Sequence, residues 1–97
     1  MPEGVIQNDH ADELYQAMVS LKNTSEAARF LRDLCTREEI RAMGERLQIA
    51  KMLSQGASYR EIAEDLRVST TTVRRVADWF SGGTGGYRLV LGRISRK

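Results

Sequence analysis

Residues 58–80 read SYREIAEDLRVSTTTVRRVADWF, and the fold is decided by how this stretch is read. Ser58 with Glu61 three residues on has the spacing of a capping box, in which a hydroxyl and a carboxylate each satisfy an unpaired backbone N–H. It predicts a short helix from Tyr59 to Leu66 with Ile62, Ala63 and Leu66 turned inward. Arg67-Val68 is too short for anything but a tight turn. Ser69 then caps a second helix, whose apolar side is Val73, Val76, Ala77 and Phe80. Two short capped helices meeting across a turn of about three residues follow the helix-turn-helix plan. Ala63 is small where the helices must approach, and Ile62, Leu66, Val68, Val73 and Val76 fill the wedge between them. Arg67 stands where such turns often carry glycine, so the turn is expected to avoid positive φ there.

Upstream, residues 1–8 carry no pattern and are expected to fray. From Asp9, the spacing Leu14, Ala17, Met18, Leu21 predicts an amphipathic helix that Lys22-Asn23 breaks. Thr24 or Ser25 can cap a second helix, with Ala27, Phe30, Leu31 and Leu34 as its stripe. Thr36 with Glu39 opens a third, carrying Ile40, Met43, Leu47, Ile49, Ala50 and Leu53 and stopped by Gly56. Downstream, SGGTGG (residues 81–86) reads as a flexible break. Tyr87, Val90, Leu91 and Ile94 then fall at helical spacing, although the segment could also begin a strand. A helix is preferred. The class is all-α: one domain with a helical core over residues 9–56, the helix-turn-helix over 58–80 and a C-terminal segment over 87–97.

The 97 residues are 41% hydrophobic and 29% charged, globular in composition but too few for a deep catalytic cleft. The net charge of +2 hides an asymmetry: residues 1–57 hold 7 basic and 9 acidic groups, residues 58–97 hold 8 and 4. A cation-rich second half points to a polyanionic partner. The lone Cys35 excludes an internal disulfide, and with His10 it falls far short of a zinc set. No run approaches the roughly 20 apolar residues of a membrane span. The start, MPEGVIQNDHADE, is acidic and polar and unlike a signal peptide, so the expected location is cytoplasmic. No phosphate-binding loop, dinucleotide fingerprint, zinc-protease motif or convergent acid–base set occurs. Neither an enzyme nor a cofactor is expected.

The second motif helix shows a polar face of Thr71, Arg74, Arg75 and Asp78, with Ser69 and Thr70 at its start. In helix-turn-helix proteins this end enters the major groove. Threonine bonds phosphates, base edges or thymine methyls, and arginine forks onto guanine or holds phosphate. Arg60, Arg67, Arg74 and Arg75 put the basic surplus where duplex DNA would lie. A plain helical hairpin with solvated arginines is the bland alternative. The rival function is a helix-turn-helix protein-interaction module that does not bind DNA on its own. Elsewhere, His10 reads as solvated, Cys35 as a small packed hydrophobe and Tyr59 as able to meet a phosphate. Trp79, off the main stripe, reads as packing against the C-terminal segment in preference to a dimer contact. Arg93 to Lys97 form a small basic tail.

The segment LCTREEIRAMGERLQIAKMLSQGASYREIAEDLRVSTTTVRRV (residues 34–76) resembles the core of the Trp repressor-like family. The shared features are Thr36-x-x-Glu39, Ala42-Met43-Gly44, Arg46, Leu53-x-x-Gly56, Ser58-x-Arg60-Glu61-Ile62 and Thr72-Val73-Arg74-Arg75. The resemblance implies an intertwined all-helical homodimer that presents two recognition helices to a near-palindromic operator. It puts DNA contacts on Arg60, Thr70, Thr71, Thr72 and Arg74, and Arg75 joins them as a phosphate contact. It also implies an effector pocket at Thr36, Arg46 and Arg75, where the family's repressor holds tryptophan between two arginines. An ion pair with Asp33 or Glu45 is the alternative for Arg46. This chain departs in having Val76 where that repressor has glycine, and Asp33 and Cys35 where it has leucines. A branched side chain intrudes where an indole needs room, which argues against tryptophan as corepressor.

Overall fold

The starts of the first five helices are each set by a local side-chain hydrogen bond. In the computed structural model, which describes residues 3–95, six helices follow one another: α1 Asp9–Val19, α2 Thr24–Leu34, α3 Arg37–Ser54, α4 Tyr59–Leu66, α5 Thr70–Gly82 and α6 Gly86–Ile94. No strand occurs among the described residues. The Asn8 side chain accepts from the Ala11 N–H at 2.8 Å, and Asn23 from Glu26 at 2.9 Å. Asn23, and neither Thr24 nor Ser25, therefore caps α2. Glu26 returns a bond to the Lys22 N–H at 2.9 Å. Both expected capping boxes form. Thr36 Oγ1 accepts from Glu39 N at 3.1 Å while Glu39 accepts from Thr36 N at 2.8 Å, and Ser58 and Glu61 do the same at 3.1 and 3.0 Å. The bonds from the Thr36 and Ser58 backbones, then those from their side chains, hold the Glu39 and Glu61 carboxyls below their ordinary pKa.

The chain divides between Ala42 and Met43 into two compact units. In the first, Tyr15 Oη donates to the Ile6 carbonyl at 2.7 Å, so the backbone at residue 6 is tied to α1 where fraying was expected. Neither α1 nor α2 buries a single residue. Leu14, Met18 and Leu34, all on the expected stripes, remain exposed.

The second unit holds the core. Ile49 and Ala50 from α3, Ile62 from α4, Val73 and Val76 from α5 and Leu91 from α6 pack together, with Leu66, Val68, Phe80 and Tyr87 half-buried around them. Complete burial of each large aliphatic contributes about 1.5–3 kcal/mol. Gly56 ends the run after α3 with φ +86°, a left-handed conformation that glycine adopts without a Cβ clash.

Around α6 the structure revises the sequence reading. Ser81 and Gly82 continue α5, Ser81 Oγ donating to the Ala77 carbonyl at 2.8 Å, and Gly86 already belongs to α6. The break shrinks to residues 83–85. A terminal glycine costs a helix only about 1 kcal/mol, which the added backbone hydrogen bonds offset. Gly83 is needed for space, since a Cβ there would collide with the Trp79 carbonyl oxygen. The terminal segment is helical, and Arg88 fastens it: its guanidinium lies 4.3 Å from the Phe80 ring centroid and its Nε donates to the Phe80 carbonyl at 3.3 Å. Trp79 does not pack into the core as preferred; it is 64% exposed. Of the basic tail, Arg96 and Lys97 lie outside the described residues. No described helix is long and apolar enough to cross a membrane.

Candidate nucleic-acid interface

The turn between α4 and α5 has the expected three residues, but its backbone departs from the expectation at the first of them. Arg67 adopts φ 57°, ψ 46°, the left-handed region. Its N–H and that of Val68 both bond the Ala63 carbonyl, the latter at 3.1 Å. Satisfying the last turn of α4 while swinging Val68 back onto the core requires a left-handed residue immediately after the helix. The expectation that Arg67 avoids positive φ is thus overturned, and the cost of a left-handed residue with a Cβ is about 1 kcal/mol.

Ser69 Oγ accepts from Thr72 N at 3.0 Å and fixes the start of α5. Val73, Val76 and Ala77 are buried on one side of this helix. Thr71, Arg74, Arg75 and Asp78, at positions i, i+3, i+4 and i+7, share the exposed side. Thr70 is exposed at its tip. Thr72 differs from its neighbours. It is half-buried, and its hydroxyl lies 2.9 Å from Ser69 Oγ within the cap. Arg60, exposed on α4, pairs with Glu64 at 3.1 Å. Exposed pairs of this kind contribute about 0–1 kcal/mol, so the guanidinium exchanges partners cheaply. Among the described residues Arg67, Arg74 and Arg75 have no ionic partner.

The expected effector residues are divided between the two units. Thr36, in the first unit, caps α3 and lines a shallow cleft with Asp33, Cys35 and Arg37. Arg46 and Arg75, in the second, are exposed, and Arg46 has no ionic partner among the described residues, so the ion pair weighed as its alternative role is not formed. Val76 is 3% exposed, within the core. A groove in the second unit is lined by Lys51, Leu53, Phe80, Arg88, Leu91 and Ile94 and includes neither arginine. No cluster of described residues could hold a metal ion. Two features were missed in the sequence. The φ of Arg67 was signalled by its place directly after α4, whereas the Arg88–Phe80 contact spans a glycine break and has no local signal.

A capped helical pair, buried on one side and polar on the other, within an all-helical chain is the architecture of helix-turn-helix regulators. The chain belongs to the Trp repressor family: its residues 9–95 match the family described as Trp repressor protein. It is 35% identical over 89 residues to the uncharacterized protein YerC of Bacillus subtilis (strain 168), covering 92% of this chain and 86% of that protein. It is similar to the crystal structure of a TrpR-like protein from Eubacterium eligens ATCC 27750, with 37% identity, a TM-score of 0.85 and 92% of each chain covered. A protein from Staphylococcus aureus provisionally assigned as a Trp repressor gives 36% identity and a TM-score of 0.85, over 94% of this chain and 91% of that one.

Proposed function

We propose that this protein is a cytoplasmic, sequence-specific regulator that binds double-stranded DNA as a homodimer. One observation carries the reading: Thr70, Thr71, Arg74 and Arg75 stand exposed on α5 while Val73, Val76 and Ala77 anchor the same helix in the core. Thr71 and Arg74 read base edges, and Arg60 and Arg75 hold phosphates. Thr72 contributes from the rim, its hydroxyl shared with the cap. Selection of bound fragments from genomic DNA tests this and yields the operator. A protein-interaction module would enrich no sequence, since non-specific phosphate contacts alone carry no sequence information.

The homodimer is supported by α1 and α2, whose apolar stripes stay partly exposed. Exposed Leu14, Met18 and Leu34 on helices that bury no residue need a second surface. Sedimentation velocity should give the mass of two chains at micromolar concentration. A stable folded monomer would remove the dimer.

Tryptophan is not the effector in this reading. Val76 is committed to the core alongside Ile49, Ile62 and Val73, at the position where the resembled repressor has glycine. Arg46 and Arg75 remain as charges for another flat or anionic ligand. Operator affinity should be the same with and without millimolar L-tryptophan. A gain of tenfold or more, worth about 1.4 kcal/mol, would overturn this.

A further inference from the structure

Arg67 occupies a conformation that glycine would adopt without strain, at the C-terminus of α4 two residues before the cap of α5. Its side chain gives the fold nothing visible in return. It is exposed, and among the described residues it forms no ion pair and no side-chain hydrogen bond. The neighbouring Arg60 is held by Glu64. An exposed left-handed residue with a Cβ, and with no ion pair or side-chain hydrogen bond to offset its strain, leaves its guanidinium available to a partner outside the fold. Its location says what that partner is. When the N-terminal end of α5 lies in the major groove, the residues just before that end lie at the groove wall, where the sugar-phosphate backbone runs.

We infer that Arg67 is a phosphate-binding residue of the DNA interface, reaching the backbone from the turn. The inference rests on the DNA-binding reading above and adds a contact to it. Being ionic, that contact is indifferent to sequence. It strengthens binding to every duplex alike and adds about one unit per chain, about two per dimer, to the slope of log affinity against log salt.

The test uses the full chain and a mixed-sequence DNA duplex spanning several helical turns, titrated at a series of salt concentrations. Three variants separate charge from backbone geometry. Arg67→Gly removes both the charge and the strain, Arg67→Gln removes the charge and keeps a Cβ at positive φ, and Arg67→Lys keeps the charge. The expected result is that Arg67→Gly melts no lower than the wild type. Both neutral variants should bind the duplex more weakly by roughly tenfold or more, with the salt slope reduced by about two per dimer, and Arg67→Lys should retain most of the affinity. Wild-type affinity and slope in Arg67→Gln would overturn the inference, whatever Arg67→Gly does, because a loss confined to the glycine variant would be a matter of turn geometry. A wild-type protein that binds no duplex at any salt would overturn the DNA-binding reading itself, an outcome distinct from wild-type binding that Arg67 does not influence.

Discussion

Ile62→Ala is expected to destabilise the folded protein by about 2–5 kcal/mol, measured by urea denaturation. Ile62 is fully buried and is the one residue of α4 completely removed from solvent, packed in the cluster that includes Ile49 of α3 and Val73 of α5. Shortening it loses the transfer energy of three carbons and leaves a cavity that a small core closes only in part. The whole stability of a domain is typically about 5–15 kcal/mol, so a large share would go. DNA affinity should fall with it, because α4 loses the anchor by which it is held to α5. A cost below about 1 kcal/mol would mean that Ile62 does not fasten α4 to the core as described.

Arg74→Ala should do the reverse, sparing the fold and damaging recognition. Arg74 is exposed and without an ionic partner among the described residues, so the melting temperature should hold. Discrimination between the selected operator and a single-mismatch duplex should shrink by about 1–3 kcal/mol, the value of an arginine reading a base edge. Thr71→Ala, one helical turn earlier on the same face, should act in the same direction. Arg60→Ala should weaken operator and mismatched duplex equally, as befits a phosphate contact on α4. Unchanged discrimination in both Arg74→Ala and Thr71→Ala would take the reading face off α5.

What could be read directly from the sequence depends on interactions that close within one helical turn. Thr36 with Glu39, Ser58 with Glu61 and Ser69 with Thr72 are contacts of i and i+3, and their residue types at that spacing suffice to start a helix. The same locality could have identified Asn23 as the cap of α2, since its side chain accepts from the N–H of Glu26 three residues on, while the Glu26 carboxylate accepts from Lys22 N just before the cap. The glycine break was overextended for a different reason. Glycine composition marks a weak point in a helix, but the hydrogen bonds of α5 determine how far past Phe80 the helix continues. Of the candidate site, the placement of Thr71, Arg74 and Arg75 on one face followed from periodicity. The engagement of the Thr72 hydroxyl with Ser69 required coordinates.

By itself, then, the sequence determined the all-helical class, the capped pair around Arg67-Val68 and the apolar wedge of Ile62, Val73 and Val76, because side-chain period and capping chemistry are properties of neighbouring residues. Only the tertiary structure decided that Arg67 turns left-handed, that Arg88 lies over Phe80 and that Trp79 stays in solvent. Each of these depends on what another helix does with the space beside it. Val68 must return to the core for Arg67 to be forced, α6 must dock for Arg88 to reach its ring, and the core must already be filled by Val73, Val76, Ala77 and Leu91 for Trp79 to be left outside. Packing distributes a limited buried volume among competing side chains, and that competition is settled between elements far apart in the chain.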